Sequence, residues 1–301
     1  MRSTSLAAAL GSIRDLQNSL ARVQAQAAPL SSGRRVVVPS DDPVSAGRIV
    51  SLQGQQQRLE GYAKSAAEAK ERLSSVSGAL NGLQAALRSA QSAGLRGLND
   101  ASLNATQKAI LAEQVDHILK QALDVADTKV QGRSVFAGFQ TQASAFATTL
   151  SGALVTSVSY QGDGGVSQAQ IGESVQVAMG SPGDAIFKAA GASIFDSLIV
   201  MRDALTSGNA ASLAAGTAEL DRAMQGLSQH QALAGARLAA IDSQDQRLNA
   251  QRSSLTALLS RHQDTDMAQA ATLYQQELSV YQAGIMASAK IAQLPNLMSY
   301  L

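Results

Sequence analysis

The sequence contains no cysteine and no tryptophan. Without cysteine there is no disulfide framework, thiol nucleophile, iron–sulfur cluster or zinc–thiolate site. Aromatic residues are scarce at 3%, and charged residues, at 16%, fall well below the roughly one quarter typical of soluble domains. Neither sign of charge dominates: 24 Lys and Arg face 23 Asp and Glu, a net charge of +1. That balance gives no general attraction to nucleic acid or to an acidic membrane. No apolar run reaches the roughly 18 residues of a transmembrane helix, so no membrane insertion is expected. The three histidines, His117, His230 and His262, are far apart, and none lies in an HExxH pattern.

What is present favours helix. Hydrophobic residues are 45% of the chain, enough for a core, and much of that share is alanine. Alanine is a strong helix former that fills little volume, which suits long helices packed closely together. At 301 residues the chain is long for one compact domain, so two domains or one body with an insertion are expected. At the N-terminus, Arg2, the stretch Leu6–Ile13 and Ala25-Gln26-Ala27 superficially resemble a secretory signal. The apolar run is only about eight residues and contains Gly11 and Ser12, so no cleaved signal peptide is expected.

Apolar residues recur every three or four positions at Leu6, Leu10, Ile13, Leu16, Leu20, Val23, Ala27 and Leu30. This heptad-like seam predicts an amphipathic helix that needs a partner, because alone it would be marginal in water. Gly33 and the Val38-Pro39 step break it. Asp42 and Pro43 then read as the N-cap and first position of a second helix. Its stripe runs from Ile49 through Leu52, Leu59, Tyr62, Leu73, Val76, Leu80 and Leu83 to Leu87, with a glycine-rich joint expected at 94–97. A third helix is expected over about 106–131, carrying Ile110, Leu111, Val115, Ile118 and Leu119 inside.

Between about 132 and 183 the helical period disappears. Leu154, Thr156, Val158 and Tyr160 alternate with smaller residues, as do Val175, Val177 and Met179, and Gly162-Asp163-Gly164-Gly165 reads as a turn. A small β-rich insertion is expected there. A long stripe follows from Leu213 through Leu220, Leu227, Leu238, Ile241, Leu248 and Leu255 to Leu259. Asp264-Thr265-Asp266 reads as a cap or joint. Beyond it, Leu273, Val280, Ala287 and Leu294 form one apolar row, and Tyr274, Leu278, Tyr281 and Ile285 another. A helix that is apolar on two faces requires more than one neighbour.

No constellation of chemical residues emerges. There is no GxxxxGK[ST] loop and no GxSxG elbow, and the 162–165 glycines lack dinucleotide-fingerprint spacing. Asp41-Asp42 and Asp264/Asp266 read as helix caps rather than acid–base pairs. His117, with Glu113 and Asp116 nearby, reads as a solvated helix residue rather than a ligand. Arg34-Arg35, the basic doublet between two helices, reads as a subunit contact or a solvated loop. No cofactor, metal or catalytic residue is assigned.

Several segments resemble one family. Leu30-Ser31-Ser32-Gly33-Arg34-Arg35 is similar to the Leu-Ser-(Ser/Thr)-Gly-basic signature of flagellins and their relatives. Pro39-Ser40-Asp41-Asp42-Pro43-Val44, with Ala46 and Arg48, resembles the version found in bacterial flagellar hook–filament junction proteins, the third hook-associated proteins. Gly132-Arg133-Ser134-Val135-Phe136-Ala137-Gly138 resembles their GRYLFAG element, with Ser134-Val135 in place of the aromatic-aliphatic pair. Tyr160-Gln161-Gly162-Asp163 resembles their Y-x-GD turn, and 264–301, with its Leu-Pro-Asn-Leu tail, resembles their C-terminus.

The resemblance implies a mainly α, flagellin-like fold: an elongated antiparallel helical bundle with terminal coiled-coil helices and a small β-rich insertion. The expected parts are an N-terminal coiled-coil and export region (1–38), a first bundle part (39–139), the outward β-rich insertion (140–182), a second bundle part (183–263) and a C-terminal coiled-coil region (264–301). It implies a structural, non-enzymatic component of the flagellum, exported without signal cleavage through the type III apparatus with a cytoplasmic chaperone. The expected partners are the first hook-associated protein, flagellin and further copies of the chain in a ring. The alternative is a flagellin-like filament subunit; a helical signalling or adhesin protein is a third reading. The expected assembly interface comprises Leu6, Leu10, Ile13, Leu20 and Val23, docking against Leu278, Ile285, Ile291 and neighbouring subunits.

Overall fold

The computed structural model describes residues 2–99, 103–188 and 191–293, with side chains described over 10–290 within that set. The helices are α1 (Arg2–Ser32), α2 (Pro43–Asn99), α3 (Ala105–Ala126), α4 (Gly183–Phe187), α5 (Ile194–Ser207), α6 (Ala210–Gln263) and α7 (Met267–Gln293). The strands are β1 (Lys129–Val130), β2 (Arg133–Ser134), β3 (Phe146–Ser151), β4 (Leu154–Tyr160), β5 (Gln168–Gln170) and β6 (Gln176–Ala178), in three antiparallel pairs: β1–β2, β3–β4 and β5–β6. The fold is mainly α, with small antiparallel sheets, as the periodicity predicts. The chain divides into one unit of 1–58 and 250–301 and a second of 59–249.

In the second unit, α2 and α6 keep one antiparallel register. Lys70 pairs with Asp242 at 2.7 Å, Asn81 with Gln231, Gln84 with Ser228, and Gln91 with Asp221. Beneath these polar edges lies a core of Val76, Leu80, Leu83 and Leu87 from α2, Val115 and Leu119 from α3, Leu198, Met201 and Leu205 from α5, and Leu220 and Leu227 from α6. The expected joint at 94–97 is instead continuous helix. Gly94 and Gly97 serve packing: a Cβ on Gly94 would lie 2.6 Å from Met201 Cε and 2.9 Å from Thr217 Oγ1. Omitting the side chain lets α2 approach α5 and α6 closely, which offsets the helix cost of glycine.

The third helix stops at Ala126, short of the expected 131. Gln131 and Gly132 both take positive φ, 52° and 77°, the two-residue hairpin geometry that joins β1 to β2. Asn104 and Gln107 form a reciprocal capping box at the start of α3. α5 carries a buried polar knot. Arg202, 4% exposed, donates to Asp116 Oδ1 at 3.0 Å and to the Val155 carbonyl at 2.8 Å. The knot ties α3, β4 and α5 together with each charge partnered.

Two of the sequence elements meet in space. The Tyr160 hydroxyl donates between the carbonyls of Phe136, at 3.0 Å, and Asp163, at 2.8 Å. Asp163 Oδ1 accepts from the amides of Phe139 (2.8 Å) and Gly165 (3.0 Å). Gly138, at φ 68°, lies against Asp163 with no room for a Cβ. Phe136, Phe146, Phe187, Phe195 and Tyr160 pack around this knot at centroid spacings of 5.1–5.4 Å. The 132–138 element and the 160–163 turn thus hold the strands onto the helices; they form no chemical site.

Candidate assembly surface

In the first unit, α1 and α7 pack antiparallel. Arg22 Nε pairs with Glu277 Oε2 at 3.2 Å, and Leu16 Cδ2 lies 3.3 Å from where a Cβ on Gly284 would stand. The packed row of α1 is Ser12, Leu16, Ser19, Val23, Gln26 and Leu30, buried or half-buried at heptad spacing. On α7 the matching row is Ala270, Tyr274, Glu277, Tyr281, Gly284 and Ser288. Half of these α1 positions are polar, and Ser19, 6% exposed, has a hydroxyl without a hydrogen-bond partner among the described residues.

The more apolar row lies outward. Leu10 is 59% exposed, Ile13 51% and Leu20 38%; on α7, Val280 is 51% and Ile285 43% exposed, beside exposed Leu273 and Met286. Of the predicted interface residues, Val23 is buried between the helices, Leu278 is half-buried, and Leu10, Ile13, Leu20 and Ile285 face away from the pair. The side chains of Leu6 and Ile291, and the 294–301 tail, lie outside the described residues. The apolar period alone predicts one seam on α1; the helix carries two, and the mixed one is used within the chain. Ser12 and Ser19 standing at heptad spacing from Leu16 and Val23 is the signal that marks it.

The Arg34-Arg35 doublet is exposed, and both arginines also make contacts within the chain. Arg34 forms an antiparallel bridge with Asp264, and the Gln263 amide, turned so that its oxygen faces Arg34, accepts from Nε at 2.7 Å. Arg35 donates to Asp42 Oδ2 (3.1 Å), Ser45 Oγ (3.2 Å) and the His262 carbonyl (3.1 Å). The Ser45 hydroxyl and amide, together with Arg35, hold the Asp42 carboxyl well below the usual carboxylate range. Asp42 Oδ1 caps α2 at the Ser45 amide (3.0 Å), whereas Asp41 folds back onto the Val37 and Val38 amides (both 2.9 Å) and caps no helix. Asp266 caps α7 at the Ala268 amide, 2.9 Å. His117 is exposed. Among the described residues no group of three or more His, Asp or Glu could hold a metal ion, and no helix is long and apolar enough to cross a membrane.

The helical ends match known proteins. The bacterial flagellin N-terminal helical region matches residues 4–141, and the bacterial flagellin C-terminal helical region matches residues 217–301. Flagellar hook-associated protein 3 of Escherichia coli (strain K12) is 28% identical over 176 residues, covering 58% of this chain and 53% of that protein. Flagellar hook-associated protein 3 of Salmonella typhimurium (strain LT2) is 31% identical over 132 residues, covering 44% and 41%. The matches thus span about half the length of these curated relatives or less. A putative flagellar hook-associated protein from Vibrio parahaemolyticus shares the fold at TM-score 0.68 and 16% identity, covering 74% of this chain and 100% of that one. FlgL of Bacillus cereus does so at 0.60 and 21%, covering 70% and 99%. With the flagellin N- and C-terminal helical regions matched over 4–141 and 217–301, the chain belongs to the flagellin-like superfamily, and the curated relatives it resembles are flagellar hook-associated proteins 3.

Proposed function

We propose that the chain is a structural subunit of the bacterial flagellum that forms the junction ring between hook and filament and templates flagellin assembly. The observation that carries this reading is the outward apolar row of the α1/α7 pair: Leu10, Ile13 and Leu20 with Val280 and Ile285. Each large aliphatic side chain buried contributes about 1.5–3 kcal/mol before ordering costs, so several together can drive assembly. The neighbours that bury them are further copies of the chain, the first hook-associated protein on the hook side and flagellin on the filament side. In this reading 1–38 and 264–301 are the terminal coiled-coil regions, 39–139 and 183–263 the bundle parts and 140–182 the β-rich insertion. The chain reaches its place by type III export with a cytoplasmic chaperone and without signal cleavage, and it carries out no catalysis. A filament-subunit role is disfavoured, because the curated relatives are hook-associated proteins and Pro39 and Pro43 mark the junction version of the motif.

The test is a deletion strain examined by electron microscopy. Hooks without filaments, with flagellin released to the medium, are expected; the wild-type gene restores filaments and a Leu10→Asp/Ile13→Asp double variant does not. Normal filaments in the deletion strain contradict the proposal.

A further inference from the structure

The first unit contains a joint at which the chain crosses twice. One crossing, 33–42, leads from α1 to α2, and the other, 264–266, leads from α6 to α7. The crossings touch as a minimal antiparallel ladder: the Arg35 amide donates to the Gln263 carbonyl at 2.7 Å, and the Thr265 amide to the Gly33 carbonyl at 3.0 Å. Gly33, at φ 69°, sharpens the first turn. Besides these two backbone hydrogen bonds, the Gln263 amide oxygen accepts from Arg34 Nε at 2.7 Å, but none of these links reaches α2. The Arg35 side chain adds what the ladder lacks.

The arrangement around that guanidinium alternates in sign. The His262 carbonyl belongs to the last turn of α6, where carbonyls lack intrahelical partners and the helix dipole is negative. Arg35 supplies the positive charge to it. Asp42 supplies the next negative charge, and its other oxygen caps the positive N-terminus of α2. Helix end, guanidinium, carboxylate and helix end therefore form one series in which each neighbour attracts the next. Ser45, itself buried, accepts a further bond from the same guanidinium. The planar fork sends Nη1 to Asp42 and Nη2 to Ser45 and the His262 carbonyl, a spread that the single nitrogen of an ammonium matches less well.

We propose that Arg35 is the latch of a two-crossing hinge, fixing the angle at which the joint-proximal part of the α1/α7 pair leaves the ends of α2 and α6. The latch governs where the outward apolar row points, and its removal lets the pair swing without unfolding either helix. This inference stands whether or not the junction role is correct.

The experiment uses the full chain, whose lack of cysteine permits unique labels. Exposed Gln24 on α1 and Gln57 on α2 are replaced by Cys, spin-labelled, and their distance distribution measured by pulsed electron paramagnetic resonance. One narrow peak is expected with Arg35 intact. Arg35→Ala should broaden it at least twofold, Asp42→Asn less so, and Arg35→Lys should leave an intermediate width. Circular dichroism melting of the same variants reports whether the second unit remains folded. A distribution equally broad with Arg35 intact, or an Arg35→Ala width unchanged in a folded chain, overturns the proposal.

Discussion

The two units of this chain use their apolar residues in opposite ways. In the second, leucines such as Leu73, Leu80, Leu87 and Leu119 are at most 1% exposed, and the buried charges Asp116 and Arg202 satisfy one another. In the first, the buried apolar side chains among the described residues are Val23, Val36, Ile49 and Ala270. Polar stitching around Arg35 and a half-polar α1/α7 seam hold that unit, while Leu10, Ile13, Leu20, Val280 and Ile285 stand exposed. One unit is complete by itself. The other leaves those aliphatics exposed, the surface proposed above for assembly.

The largest expected effect lies in the self-sufficient unit. Arg202→Met strands Asp116 beside α5 and leaves the Val155 carbonyl without this donor, so a loss of about 3–5 kcal/mol is expected in chemical denaturation. Lys120, at 2.8 Å from Asp116, sets the result toward the lower end of that range. Leu119→Ala should cost about 2–5 kcal/mol through the cavity it opens, whereas Leu10→Ala should leave the melting of the isolated chain unchanged and weaken only assembly. A large melting loss from Leu10→Ala would break the contrast.

A smaller effect is expected at the helix glycines. Gly94→Ala forces a Cβ onto Met201 and Thr217 and should destabilise by about 1–3 kcal/mol, net of the helix propensity it gains. Gly82→Ala, which meets nothing within 4 Å, should stabilise by about 0.5–1 kcal/mol. The smallest effects are electrostatic. Burial holds the His230 imidazole below its ordinary pKa despite the Ala185 backbone contact. Its stabilising contribution is therefore full above about 6.5, the unfolded value, and is lost as pH falls through the folded value. His230→Gln should remove that slope from melting curves of the second unit. Asp42, also depressed, contributes above about 3.9, and that contribution fades only in stronger acid, so it marks the first unit.

Helix identity was legible because a period near 3.6 survives any tertiary context. So was the 154–160 strand, whose alternation is local. What periodicity does not encode is which partner an apolar row meets. Leu10, Ile13 and Leu20 read as one seam with Leu16 and Val23, yet only the latter two pack within the chain. Gly94 and Gly97 read as a joint because glycine breaks helices; here they admit Met201 and Leu205, neighbours more than a hundred residues away in sequence. Arg35, Asp42 and His262 meet only once the joint is folded, and no local spacing announces them. The Gly132–Gly138 element and the Tyr160–Asp163 turn were noticeable as motifs, but their mutual hydrogen bonds are long-range.

The central claim is that the α1/α7 pair is completed by assembly while the second unit is complete without it. Hydrogen exchange on the isolated chain and on the assembled ring tests this most directly. In the isolated chain, amides of residues 2–20 and 278–293 should exchange orders of magnitude faster than those of 73–87 and 111–122, and should become protected in the ring. Equal protection of the terminal helices and the core in the isolated chain would contradict the account.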